Sequence, residues 1–354
     1  LHLLAQHRIV PQTKESKLMN ILITGAAGFI GHALVKVLAA DRHTTITGID
    51  NLNDYYTPRL KEARLRDLGV MSHGPQPTAS ATLPNFSFME TDIADRETID
   101  RIFSQGGFTH VCNLAGQAGV RFSIESPYSY VESNVLGFLN ILEGCRHHHV
   151  GHLVFASSSS VYGMDDHVPF GETDDTSHPV SLYAATKKSD EVMAYAYTSL
   201  YGFQTTALRF FTVYGPWGRP DMAPFKFMDA IANDRPIKVF NHGDMLRDFT
   251  YIDDIVEGIC RIIGAAYDDK VPARVYNIGC SHPTRLIDFI ATIEQATGHK
   301  AQMVMMDMQP GDVTRTDADT SRLQHDFGYK PHTLLDEGIR QLHEWYETVW
   351  PNIK

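Results

Sequence analysis

The sequence predicts an α/β protein: a doubly wound parallel sheet with a smaller α/β lobe beside it. Three observations predict it. A short apolar run, 20–24 (NILIT), leads straight into Gly25, Gly28 and Gly31. Strand-like and helix-like stretches then alternate through the first half of the chain. Finally, 354 residues with 43% hydrophobic content suffice for one large core or two unequal ones, and two lobes are expected.

The elements follow in order. Residues 20–24 read as a buried strand and 29–40 as the first helix. Between them glycine is needed for a tight turn, for close approach to a pyrophosphate and for packing of helix on strand, while the helix start offers amides to phosphate. The next strand, 45–50 (TITGID), ends in Asp50, 19 residues after Gly31. A carboxylate there accepts both hydroxyls of an adenosine ribose and repels a 2′-phosphate, so the expected cofactor is NAD rather than NADP. A helix at 59–68 precedes an irregular stretch, 69–84, expected as a partly disordered surface loop. Strand 86–90 ends at Thr91-Asp92-Ile93, where the aspartate meets the adenine amino group. Strand 110–115 opens into Gly116-Gln117-Ala118-Gly119, whose small residues let the chain pass close to the cofactor. A long helix at 128–145, a strand at 152–158 and a helix at 182–201 complete the series. In such Rossmann sheets ligands collect at the carboxyl ends of the strands. The residues expected around the dinucleotide are therefore Gly25, Gly28, Phe29, Ile30, Gly31, Asp50, Asn51, Asp92, Ile93, Leu114, Ala115 and Gln117, joined by Tyr183 and Lys187.

Tyr183 and Lys187 are four apart, which on a helix puts both side chains on one face. A free phenol, with a pKa of about 10, is a poor base at neutral pH. An ammonium beside it favours its ionised form, and a hydroxyl from the run Ser157, Ser158, Ser159, Ser160 can share the proton.

Composition narrows the classes. A formal charge of −11 argues against a nucleic-acid or anionic-membrane surface. Cys112, Cys145, Cys260 and Cys280 lie far apart without metal-type spacing, as expected of reduced thiols in a cytoplasmic protein. No apolar run approaches the ~20 residues of a membrane span. The first 18 residues, which stop short of Met19, are expected to be an upstream extension or a cloning remnant. His147, His148, His149 and His152 read as helix-end residues, and Asp253 and Asp254 as helix caps, so no metal site is expected. Tyr195, Tyr197 and Tyr201 are read as dimer or core packing.

Several longer segments, ITGAAGFIG, ASSSSVYG, SLYAATKKSDE, LRFFTVYGPWGRPDMA and GDMLRDFTYIDDIVEG, carry a resemblance. Over nearly all of 19–354 the chain resembles the extended short-chain dehydrogenase/reductase family of nucleotide-sugar enzymes. Through NLNDYY (51–56), QAGVRFSIESP (117–127) and FFTVYGPWGRPDMA (210–223) it is most similar to the UDP-glucuronate 4-epimerases. The resemblance implies bound NAD, a UDP-sugar substrate, Tyr183 as base, Lys187 as its partner and nicotinamide-ribose anchor, and Ser158 as relay hydroxyl. It implies Arg247 on the diphosphate, with Arg219 and Arg121 as further candidates for the substrate's charges, whereas Gln309 stands where some relatives have an arginine. It also implies a nucleotide-binding domain over 19–212 and a mainly UDP-sugar lobe over 213–354, with 250–263 returning to the first. In the second half a helix at 224–233, a strand at 237–240 along the uracil and a helix at 285–297 are expected. Relatives pair through helices matching 128–145 and 182–201, so a homodimer is expected.

Chemistry separates the activities of such enzymes. Oxidation at C4 of the sugar gives a ketone with three fates. Dehydratases carry an Asp-Glu pair in place of Ser159-Ser160, and decarboxylases a glutamate at the position of Ser160. An epimerase of a uronic acid must hold the carboxylate so that CO₂ is not lost, and Ser159, Ser160 and Thr212 are neutral donors suited to that. The expected activity is interconversion of UDP-glucuronate and UDP-galacturonate. Alternatives are a neutral UDP-hexose 4-epimerase, a UDP-glucuronate decarboxylase and a non-catalytic NAD sensor.

Overall fold

The last four side chains of Met19–Thr24 (β1) are buried, and the strand enters a turn at Gly25 before the helix Phe29–Leu38 (α1). The structure, a computed structural model, describes residues 18–354 apart from 166, 266–272 and 310–311; the expected leader lies, but for its last residue, outside the described residues. The first half continues with Thr44–Asp50 (β2), Pro58–Asp67 (α2), Thr78–Ala79 (β3), Phe86–Glu90 (β4), Arg96–Gly106 (α3) and His110–Asn113 (β5). Phe122–Glu125 (α4), Pro127–Tyr130 (α5), Phe138–His147 (α6), His152–Ser158 (β6), Leu182–Tyr201 (α7) and Gln204–Phe210 (β7) follow. Beyond them come Thr212–Tyr214 (β8), Ala223–Ala232 (α8), Ile237–Val239 (β9), Leu246–Arg247 (β10), Phe249–Tyr251 (β11) and Ile252–Ile263 (α9). Ala273–Ile278 (β12), Thr284–Arg285 (β13), Leu286–Thr297 (α10), Met303–Met305 (β14), Ser321–Phe327 (α11) and Leu335–Thr348 (α12) complete the chain.

The large sheet runs β12-β7-β6-β5-β1-β2-β4-β3 and is parallel except where β3 meets β4. This is the expected doubly wound Rossmann order, and the strand order reverses between β1 and β5. Alternation along β1 divides the core: Ile21 and Ile23 join one cluster with residues of α1 and α9, while Leu22 joins another with α3 and α6. At the reversal point the Thr24 hydroxyl donates to Asn113 Oδ1 at 2.6 Å and accepts from the Ala115 amide at 3.0 Å. One side chain thus holds the two strand ends, and the loops that leave them, in register.

Three expectations change. The stretch 69–84 is an organised turn: β3 pairs with β4, and the Ser80 hydroxyl donates to Leu68 O and accepts the Leu83 amide. The single helix expected at 128–145 is α5 and α6 joined by a π-helical turn, Val131–Gly137. Besides α9, which packs on α1, the second half also returns β12 to the large sheet beside β7. Among the described residues no helix is long and apolar enough to cross a membrane.

Candidate active site

The carboxyl ends of the central strands open into a cleft of about 1260 Å³. All the residues expected around cofactor and substrate line it. The floor is the glycine turn. Gly25 takes φ +71°, and a Cβ on Gly31 would lie 2.1 Å from the Gly25 carbonyl oxygen, so helix and turn meet with no room for a side chain. Among the described residues no side chain caps α1, and no acid occupies its first turn, which leaves its amides open toward the cleft. At the end of β2 the Asp50 carboxylate accepts the Leu52 amide at 2.9 Å, and the Lys61 ammonium stands 3.9 Å away. Burial lowers the Lys61 pKa, and Asp50 partly restores it. Asn51 Nδ2 donates to Asp92 Oδ2 at 2.8 Å, while Asp92 Oδ1 accepts the Ala94 amide. Asp92 therefore comes to the cleft already oriented.

The wall beside this floor carries the tyrosine and lysine. Ser181 caps α7 by accepting the Ala184 amide at 3.1 Å, which sets Tyr183 in the first turn and Lys187 one turn deeper. Ser158 ends β6, and its hydroxyl accepts the Ser160 amide at 3.2 Å as the chain turns into the short helix Ser159–Tyr162. The Tyr183 ring meets Tyr130 edge-on at 6.0 Å. The π-helical turn directs Asn134 inward: its amide oxygen accepts the Gln117 amide at 2.8 Å, and its nitrogen donates to Gln117 O and Thr186 Oγ1. The loop after β5 is thereby fastened to α7. The Lys187 ammonium lies 3.1 Å from Asp190 Oδ2, and a Cβ on Gly116 would come within 3.3 Å of it.

The roof belongs to the second half. Thr212 begins β8, aligned with Phe249 of β11, and lines the cleft with Ser159 and Ser160. Arg219 grips Asp221 with two nitrogens, at 2.5 and 3.1 Å, and Tyr55 donates its phenol to the same carboxylate at 3.0 Å. Burial pushes the Tyr55 phenol up to about 12. Arg247 differs: its guanidinium donates to the carbonyls of Leu246, Val313 and Thr314, and among the described residues no carboxylate pairs with it directly. Burial lowers its pKa, and the more distant charge of Asp312 opposes that shift. Such a cation suits an incoming diphosphate. Arg121 sits at the rim, half exposed, 3.3 Å from Asp312 and 5.0 Å above the Phe240 ring. Gln309 also lines the cleft, near Asp312.

Sequence reasoning missed Tyr55, Lys61, Asn134, Asp190 and Asp221. Tyr55 and Asp221 lie in segments that carried the resemblance, but a contact across 166 positions has no local signal. Elsewhere the histidines do not converge: His147 meets Glu143, His148 meets Asp100, and His152 bonds Thr206 within the sheet. Asp254 does not cap its own helix but accepts the amides of His332 and Thr333. Tyr197 bonds Glu143 and Tyr201 stacks on Arg146, whereas Tyr195 is exposed. Cys112, Cys145 and Cys260 are buried free thiols.

Residues 21–279 match the model of the NAD dependent epimerase/dehydratase family. The chain belongs to this family. It is 47% identical to protein CapI of Staphylococcus aureus over 342 residues, covering 93% of this chain and 98% of that one. It is 42% identical to a probable UDP-glucuronate 4-epimerase of Rhizobium meliloti over 344 residues, covering 93% and 97%. Among solved structures, UDP-glucuronic acid 4-epimerase from Bacillus cereus, in complex with UDP-glucuronic acid and NAD, superposes with a TM-score of 0.84 at 30% identity, covering 94% of this chain and 100% of that one. The chain is thus an NAD-dependent isomerase of the extended short-chain dehydrogenase/reductase type. Its cleft fits the cofactor on its own terms: among the described residues Thr91 Oγ1 and Gln117 Nε2 are buried there without a hydrogen-bond partner, the glycine turn admits close approach, and α1 presents open amides.

Proposed function

We propose that this protein interconverts UDP-glucuronate and UDP-galacturonate, with NAD held by the floor of the cleft. The observation that carries the reading is the trio of neutral hydroxyls, Ser159, Ser160 and Thr212, lining the same cleft as Tyr183. The likeness to named UDP-glucuronate 4-epimerases over nearly the whole chain supports it.

When bound, NAD supplies a reversible hydride acceptor for C4 of the sugar. The glycine turn and the amides of α1 hold its phosphates, Asp50 its adenosine ribose, Asp92 its adenine, and Lys187 the ribose near the nicotinamide. Tyr183 takes the proton from the sugar O4 and later returns it, with the Ser158 hydroxyl as relay. Arg247 carries the diphosphate, Arg121 closes on it from the rim, and Arg219 fixes charge near the sugar. The resulting 4-keto uronic acid loses CO₂ fastest when its C5–C6 bond stands perpendicular to the carbonyl plane. Hydroxyls that pin the carboxylate in another orientation suppress that loss.

We further propose a homodimer. Tyr128 is 87% exposed on α5 and Leu200 71% exposed on α7, and Val131, Leu136, Val192 and Tyr195 extend this apolar surface. A surface of this kind on two neighbouring helices suits a second copy of the chain.

The test is incubation of the purified protein with UDP-glucuronate without added NAD, with chromatography of the sugars and trapping of CO₂. A UDP-galacturonate peak with little CO₂ is expected. A UDP-pentose with CO₂, or turnover of UDP-glucose alone, would overturn the reading.

A further inference from the structure

Two neighbouring acids on α7 have opposite surroundings. Glu191 is fully occupied: one oxygen accepts Ser157 Oγ at 2.7 Å and Arg209 Nε at 2.8 Å, and the other accepts Arg209 Nη2 and Lys188 Nζ. Burial alone would raise its pKa, but Arg209 pulls it below the usual range. Asp190 is 1% exposed, and among the described residues only its Oδ2 is used, on Lys187 at 3.1 Å, while its Oδ1 is buried with no hydrogen-bond partner. An acid kept for structure has both oxygens satisfied, as Glu191 does, because an unpaired buried oxygen costs stability. The half-satisfied acid is the one that touches the lysine beside Tyr183.

We propose that Asp190 is the positioning residue for Lys187, fixing the ammonium that works with Tyr183. This rests on the reading of Tyr183 and Lys187 as the catalytic pair. A long lysine chain has several rotamers, and an ion pair on the same helix three residues on selects one of them. The selected rotamer sets the ammonium against the loop at Gly116, which lines the cleft. Burial raises the Asp190 pKa to about 7, with Lys187 opposing and Glu191 adding to the rise. Of the elements packed on α7, β6 presents hydroxyls, the π-helical turn presents Asn134, β7 presents Arg209, whose charge is spent on Glu191, and α6 presents Glu143 and Arg146, which pair with each other. Also packed on it, α4 carries Glu125, α5 Tyr130, the helix Ser159–Tyr162 carries Tyr162, whose phenol meets Arg209, and β12 carries Arg274. As the pH rises through about 7 Asp190 gains its charge and Lys187 its anchor, and both are lost as the pH falls.

The experiment uses the holoenzyme and has two readouts. The first is the pH profile of kcat for the wild type and for Asp190→Asn, whose amide oxygen still accepts from Lys187 but cannot titrate. Wild-type kcat is expected to fall about tenfold between pH 8 and pH 6 as the carboxyl gains its proton, and Asp190→Asn to lack that limb. The same acid limb in the variant overturns the proposal, even if its kcat is uniformly lower. The second readout needs no substrate: acetic anhydride labelling of Lys187, followed by mass spectrometry at pH 8. Without its counter-ion the amine is expected to react about tenfold faster in Asp190→Asn. An equal rate in the two proteins overturns the proposal, and this readout decides the matter if the variant does not turn over or if UDP-glucuronate is not the substrate. Asp190→Ser serves in both assays if the asparagine variant does not fold.

Discussion

The floor and the roof of the cleft are built differently. The floor is made of strand ends from one sheet, and its polar groups are held by neighbours close in the same fold unit: Thr24 on Asn113 and Ala115, Asn51 on Asp92, Asn134 on Gln117. Its backbone contacts leave no room for a single Cβ at Gly31. The roof is assembled from segments far apart in sequence, and its cations are left in different states. Arg219 is neutralised by Asp221, Arg121 pairs at the rim with Asp312, and Arg247 is held by carbonyl oxygens and the Met245 sulfur, with no carboxylate on it among the described residues. The floor is rigid and already complete, which suits a cofactor that stays. The roof keeps positive charge uncommitted, which suits an anionic substrate that comes and goes.

The largest expected effect is on the floor. Gly31→Val pushes a branched side chain into the Gly25 carbonyl and is expected to cost of order 3 kcal/mol or more, with loss of NAD. Melting and the NAD content of the purified protein measure it; unchanged values would mean that the floor is not the rigid part. Tyr183→Phe should lower kcat by roughly 10³-fold while leaving nucleotide binding and melting intact, and retained turnover would remove Tyr183 from acid–base chemistry. On the roof, Arg247→Met is expected to raise KM for the UDP-sugar roughly 10- to 100-fold with a smaller change in kcat. A fall in kcat alone would place Arg247 on the reacting sugar instead of the diphosphate. The smallest effect is a change of ratio. Thr212→Val should increase the CO₂ released per UDP-galacturonate formed, and an unchanged ratio would remove Thr212 from the carboxylate clamp.

The parts legible in the sequence are those whose cause is local. The glycine spacing, the acid ending β2 and the tyrosine–lysine spacing each answer to backbone geometry within a few residues, so Gly31, Asp50, Tyr183 and Lys187 are expected together from the sequence, and all four line the cleft. The elements Phe86–Glu90, His152–Ser158 and Leu182–Tyr201 coincide with the expected bounds 86–90, 152–158 and 182–201. The π-helical turn was not read, because nothing in 131–137 breaks the helical period; the turn is stabilised by what Asn134 reaches across the fold. The order in 69–84 was missed for a similar reason, as Pro, Ser and Thr look like loop until Ser80 finds Leu68 and Leu83.

By itself, the sequence determined the glycine turn, the alternating elements and the tyrosine–lysine pair proposed as catalytic, because those follow from steric limits and periodicity along a short stretch of chain. Only the tertiary structure decided that Tyr55 meets Asp221, that β12 closes the far edge of the sheet, and that Asp190 is left half satisfied while Glu191 is saturated. Those outcomes depend on which distant groups burial brings within hydrogen-bond reach, and on which charges it leaves without a partner.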